Sequence, residues 1–256
     1  MRLFGRSEPV IDLDQAIPVI ARRVPHYDRL SQTERERLLD AVDYLLSRPR
    51  WEPVNDFELT SEMIATIAGF AALLVIGLGP EVYRDLRDIV IHPRTIIMTG
   101  QRRIDRWVVA DGPQAVLGHT AYSGPVHIAW NAVTRDVRDP ERGHNVVLHE
   151  FAHRLDLTNG WVDGTPEMSA DQRRRWVAVL QEEFDALRAQ SGSPLLREYA
   201  ATNPGEFFAV VTEVFFSQPL LQQDRPELYQ VLAAYYRQDP ATRLTPDVSD
   251  PSGLSP

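Results

Sequence analysis

The 256-residue chain contains no cysteine, so disulfides and thiolate metal sites are excluded, and any metal must be held by His, Asp or Glu. Lysine is also missing: all 27 basic residues are arginine, a usage that carries no functional argument here. Acids outnumber bases 36 to 27, and no long basic stripe exists, which argues against direct nucleic-acid binding through phosphate contacts. The one arginine triple, Arg173 to Arg175, falls inside a helical pattern and reads as a solvated face. Long apolar runs are lacking too. The longest, "MIATIAGFAALLVIGL" at 63–78, is shorter than the roughly 20 residues a bilayer crossing needs, and Gly69 and Gly77 interrupt it. It reads as a buried core helix. The first residues, "MRLFGRSEPVIDLDQ", have no signal-peptide core or cleavage site. These features together predict a soluble, cytoplasmic protein with no membrane association.

What is present is enough apolar residue, 43%, for a sizeable core. Residues 1–25 show no firm periodicity and read as an N-terminal arm. "SQTERERLLDAVDYLLSR" opens with a capping box, Ser31 and Glu34, followed by leucines at helical spacing. "WEPVNDFELT" reads as a connection, and "GLGP" as a helix stop. Between 88 and 133, "DIVIHPRTIIM", "RWVVADG" and "GPVHIAWNAV" read as three or four short strands of a small mixed sheet. His92, His119 and His127 fall there without partners at ligand spacing, as polar strand or loop residues. Helical patterns then return: "VVLHEFAHRLD"; "SADQRRRWVAVLQEEFDALRAQSG", capped by Ser169 and Gln172; "NPGEFFAVVTEVFF"; and "DRPELYQVLAAYY", capped by Asp224 and Glu227. The Pro- and Ser-rich end, 240–256, reads as a disordered tail. The expected architecture is one α+β domain over 26–239, helical over 26–87, with a sheet and metal-binding helices over 88–239.

"VVLHEFAHRLD", residues 146–156, carries the chemistry. Residues four apart on a helix differ by only about 40° in direction, so His149 and His153 present both imidazoles to one point. Glu150 is turned about 100° from His149, beside that point, where a general base for a metal-activated water belongs. The flanking residues are apolar nearly all round, as a buried helix requires. Such histidines are satisfied either by ordinary hydrogen bonds or by a metal, and a metal serves both at once. Catalytic zinc usually takes three protein ligands and a water. A third histidine six residues on is missing, because that position is Asn159. "NPGEFFAVVTEVFF" offers Glu206 and Glu213. Asn203, Pro204 and Glu206 fit a capping box, which gives Glu206 a structural task. Glu213 lies mid-helix among apolar residues, where an unpaired carboxylate is costly, and is expected to be the third ligand. Asn145 and Asp156 are candidates to orient the ligand imidazoles, or are helix-end residues. Tyr199 is either an oxyanion donor or an ordinary half-buried tyrosine, and His144 is expected on the surface, facing away from the ligands.

"HEFAHRLD" followed by "EYAATNPGEFFAVVTEVFF" resembles the Mlc titration factor A family of zinc-dependent peptidases, over most of the chain. The resemblance implies a zincin-like bacterial protein with one Zn2+ per chain, ligated by His149, His153 and Glu213, with Glu150 catalytic. It implies aminopeptidase-type activity on peptide substrates. In part of the family it also implies binding of a transcriptional repressor, so that a regulatory protein with structural zinc is the alternative function. One departure stands out: a tyrosine often follows the ligand glutamate in the family, and here that residue is Val214.

Overall fold

The computed structural model describes residues 11–54, 56–94, 102–103, 109–110, 124–189 and 193–244. The order of elements is helical first. α1 (Leu13–Arg23) and α2 (Gln32–Ser47) lead to strand β1 (Arg50–Pro53), and α3 (Ser61–Val75) leads to β2 (Asp88–His92). Two-residue strands β3 (Arg102–Arg103) and β4 (Val109–Ala110) precede β5 (Val126–Ala129), α4 (Trp130–Arg138) and α5 (Val146–Asp156). The chain closes with α6 (Ala170–Ala189), α7 (Pro204–Ser217), α8 (Leu221–Asp224), α9 (Pro226–Tyr236) and α10 (Pro240–Leu244).

Capping chemistry explains several starts. Ser31 and Glu34 form the expected reciprocal box on α2, and Ser169 and Gln172 form one ahead of α6. Asp12 and Gln15 form a third, which the sequence reading missed: residues 13–23 are a helix, where an arm was expected. Its buried face, Ala16 and Ile20, lies against α3, and Gly69 permits the approach. A Cβ there would stand 2.9 Å from Val24 Cγ2. Residues 1–10 of the expected arm lie outside the described residues.

α3 is buried almost throughout, from Met63 to Val75, and is the central helix of the N-terminal half. Among the described residues no helix is long and apolar enough to cross a membrane.

The sheet differs from the expected mixed one. β1, β2 and β5 form a parallel three-stranded sheet in that order, and β3 and β4 form a separate antiparallel pair. β1 falls in the stretch read as a connection. Its pairing to β2 arises from a distant segment, which periodicity over four residues cannot reveal. β5 ends at Ala129, and "WNAV" begins α4 instead of extending the strand. Among the described residues β5 pairs with β2 on one edge and has no strand on the other. Ile89, Ile91, Val126 and Ile128 point into the core, while Asp88, Val90, His92 and His127 alternate to the opposite, half-buried face.

Two further expectations shift. Arg225, not Asp224, occupies the N-cap of α9, with Pro226 at N1. Residues 240–244 of the expected tail are helical, while 245–256 and His119 lie outside the described residues.

His26, between α1 and α2, is buried, and its Nε2 donates to the Phe216 carbonyl at the end of α7. Burial is the largest influence on it and lowers its pKa from 6.5 to about 4, against the opposing pull of that carbonyl. The unfolded chain therefore takes up the proton first. The associated stability is complete above pH 6.5 and is lost as pH falls toward 4. Between pH 7 and pH 5 the His26 contribution should fall by about 2 kcal/mol. Urea denaturation at the two pH values, compared with His26→Gln, should show a shallower pH dependence in the variant.

Candidate metal centre

α5 begins at Asn145, whose side chain accepts from the backbone N–H of Val147 and Leu148, each at 3.0 Å. Asp136, at the end of α4, accepts from Val146 N at 2.9 Å. These acceptors satisfy the first amides of a helix that is buried on every side. His149, Glu150 and His153 are all buried within it, and the two ligand-spaced rings stand edge to face at 4.9 Å.

α7 packs against α5 and brings both candidate glutamates to His149, one on each ring nitrogen. Glu206 Oε2 lies 3.2 Å from His149 Nε2 and 3.6 Å from His153 Nε2. Glu213 Oε1 lies 2.7 Å from His149 Nδ1, on the far side of the ring, while its Oε2 accepts from Asn145 N at 2.8 Å. Here the structure parts from the expectation. Among the described residues, the three whose candidate ligand atoms gather within 4.8 Å are His149, His153 and Glu206, and Glu213 is not one of them. The capping argument failed for a specific reason. Asn203 does cap the Glu206 amide at 3.0 Å, but the Glu206 side chain does not return the bond and points at the histidines.

Three details test whether this group fits a metal. Glu206 is fully buried, and neither of its carboxylate oxygens has a hydrogen-bond partner. His149 Nε2 is in the same condition. Buried polar atoms without partners are expensive, and here they converge on one point, with the donor set that borderline divalent cations prefer. The residues fit.

The charges agree with this. Burial by itself would push His149 down, but Glu206 and Glu213 outweigh it and raise its pKa to about 10. Burial would raise Glu213, yet His149 and Arg197 hold it at about 2. Glu206 is likewise held well below the usual carboxylate range by the two histidines, against the opposing effect of burial. The site thus collects negative charge around imidazoles, and a cation on the Nε2 side answers the same demand that a proton does.

Arg197 was not singled out from the sequence. It precedes the short turn 198–201 and forks onto Glu213: Nη1 to Oε2 at 3.1 Å and Nη2 to Oε1 more closely still. Nη1 also meets His144 Nδ1 at 3.2 Å, so His144 faces this network, contrary to the expectation that it pointed away to the surface. Because Glu213 binds the His149 Nδ1–H, the 3.2 Å approach of Arg197 Nη2 to that nitrogen is imposed by their shared carboxylate. No local signal marks such an arginine.

Other candidates resolve separately. Asp156 does not orient His153: its Oδ2 accepts from Gly164 N at 2.8 Å and fixes the loop after α5. Burial raises Asp156 to about 8, partly offset by those loop amides. Gly164 needs its positive φ of 77°, and a Cβ there would stand 2.5 Å from the Pro204 carbonyl at the start of α7. Asn159, at the position of the missing third histidine, donates to Thr165 O and accepts from Trp161 N in the same loop. Tyr199 is half-buried, its ring 6.2 Å from His149.

Comparison with known proteins agrees with the geometry. Residues 10–237 match the family described as glucose-regulated metallo-peptidase M90. The chain belongs to the M90 family. Mlc titration factor A of Serratia proteamaculans is 33% identical over 235 residues, covering 88% of this chain and 87% of that one. Mlc titration factor A of Yersinia pestis is 32% identical, covering 88% and 85%. An uncharacterized protein of Synechocystis sp. is 34% identical over 228 residues, covering 87% and 83%. Membership of the M90 family indicates a metallopeptidase, and the buried His149, His153 and Glu206 group can hold one ion.

Removing Arg197 would leave the buried Glu213 charge without its guanidinium. Arg197→Ala should lower stability by about 2–4 kcal/mol in chelator-treated protein, read by urea denaturation. Arg197→Lys should recover only part of this, because an ammonium cannot reproduce the fork.

Proposed function

We propose that the chain is a zincin-like, zinc-dependent metallopeptidase of aminopeptidase type, with His149, His153 and Glu206 as ligands and Glu150 as general base. This reading replaces Glu213 with Glu206 as the third ligand. The observation that carries it is the fully buried Glu206 carboxylate, neither of whose oxygens has a hydrogen-bond partner, facing both imidazoles. Glu213 instead accepts a hydrogen bond from the His149 Nδ1–H, which leaves the Nε2 lone pair to ligate and fixes the ring's orientation.

Zinc held there would supply a Lewis acid that acidifies a water and polarises the scissile carbonyl. Glu150, directly after the first ligand, accepts the proton of the attacking water and delivers it to the leaving amine nitrogen. Among the described residues β5 has no strand on its second edge, and that edge can receive an extended substrate backbone as an added strand. Tyr199 is the candidate donor to the developing oxyanion. A second reading draws on the name of the relatives, which speaks of titrating Mlc. Carried to this chain, it makes the protein a binder of a repressor, with zinc mainly structural. A glutamate at position 150 favours the enzyme, because a structural site needs no general base.

Two sets of variants separate these roles. Glu150→Gln should keep stoichiometric zinc and lose hydrolysis of amino-acid anilides; wild-type turnover in this variant would remove Glu150 from the mechanism. Glu206→Ala should lose zinc outright by elemental analysis. Glu213→Gln should retain zinc with affinity weakened about 10–100-fold, as for loss of an orienting partner. The reverse order would restore Glu213 as the ligand.

A further inference from the structure

α6 and α9 pack side by side, yet a crevice of about 250 Å³ remains between them. Residue size explains the gap. Val231, Ala234 and Tyr235 share one face of α9 at helical spacing, and Ala234 offers only a methyl where its two neighbours are large. Across the gap the Trp176 indole is drawn inward, because its Nε1 donates to Gly164 O at 2.8 Å and its ring meets Phe208 edge to face. The Trp176 and Tyr235 rings stand 5.3 Å apart between centroids, and half-buried Met168 adds an adaptable thioether wall. The one N–H of the indole is already bonded, so Trp176 has no donor left for a polar occupant. An apolar cavity of about 150 Å³ already takes benzene, and this crevice has room for an aromatic ring with a short chain.

The rim adds charge. Asp171 and Arg175, both exposed, line the crevice one helical turn apart. The Asp171 carboxylate is engaged by Arg174, so its charge is answered. That of Arg175 is not. Its Nη2 donates to the neutral Gln230 Oε1 at 2.7 Å, and among the described residues it has no acidic partner. This tether runs from α6 to α9 and holds the guanidinium across the gap. The remaining N–H donors of the fork suit a carboxylate, and a single fixed cation beside an apolar slot orients a ligand that has one anionic end.

We propose that the crevice between α6 and α9 binds a small aromatic carboxylic acid, its ring between Trp176, Tyr235 and Ala234 and its carboxylate on Arg175. The site shares no residue with the His149, His153 and Glu206 group and does not rest on the peptidase reading.

The test uses the full chain as purified, with methyl-labelled methionine, titrated with phenylpropionate and separately with its neutral primary amide. The Met168 methyl signal should shift saturably with the acid, and the amide should bind about fivefold more weakly. Arg175→Gln should weaken the acid by a similar factor and leave the affinity for the amide unchanged. Ala234→Leu, made at an exposed position, fills the gap and should abolish the Met168 shift. An unmoved Met168 signal in the wild type, or an amide bound as tightly as the acid, overturns the proposal. Acid binding that survives both variants assigns the ligand to another site, the catalytic metal included, and overturns it as well. So does a wild-type dimer that Ala234→Leu dissociates while the acid does not bind, since the crevice would then belong to a second copy of the chain.

Discussion

The molecule turns on one imidazole held between two carboxylates. His149 lies where α5 crosses α7, with Glu206 on one ring nitrogen and Glu213 on the other. Each of these charges is fully buried, which is tolerable only because each meets the others. Unpaired, any of them would oppose folding by several kcal/mol, of the order of a domain's whole stability. The surrounding structure can be understood as what keeps the three groups together: Asn145 and Asp136 at the head of α5, Asn203 at the head of α7, and Arg197 closing the rear.

The two glutamates divide the work by position along the helix. Seven residues apart, they emerge from nearly the same face of α7, yet they reach opposite sides of one ring. Glu213 is surrounded by donors, including a backbone amide and a guanidinium, and is a fixed anion on the Nδ1 side of His149. Glu206 has unused acceptor capacity, as a group aimed at a cation should. The loop from Asp156 to Gly164 supports this arrangement from below, because the Gly164 backbone seats against the first residue of α7. Asp156 therefore contributes to the site by holding a loop, without touching a ligand.

Much of this was legible before any coordinates. The capping boxes of α2 and α6, the apolar run of α3 and the four-residue spacing of the histidines all rest on contacts between near neighbours. Such signals survive in one dimension. The errors fall where partners are remote. β1 looked like a connection because its only strand signal is pairing with β2, some forty residues away. "WNAV" looked like more strand, and nothing local announces that α4 takes over at Trp130. α1 was missed although Asp12 and Gln15 mark its start, because Pro18 inside it reads as a helix breaker.

The sequence by itself determined that two imidazoles share one helical face with a glutamate beside them, since helix geometry leaves no other outcome. It also directed the search for any third metal ligand to the acids of a later helix, because cysteine is absent and Asn159 stands where a local histidine would be. Which glutamate stands beside both imidazoles was decided only by tertiary structure. A cap residue can satisfy its duty through its backbone amide and still send its side chain elsewhere, and a buried mid-helix acid can be neutralised by an arginine as well as by a metal. Both facts depend on how α5, α7 and the segment carrying Arg197 pack, and no spacing within a single helix encodes that.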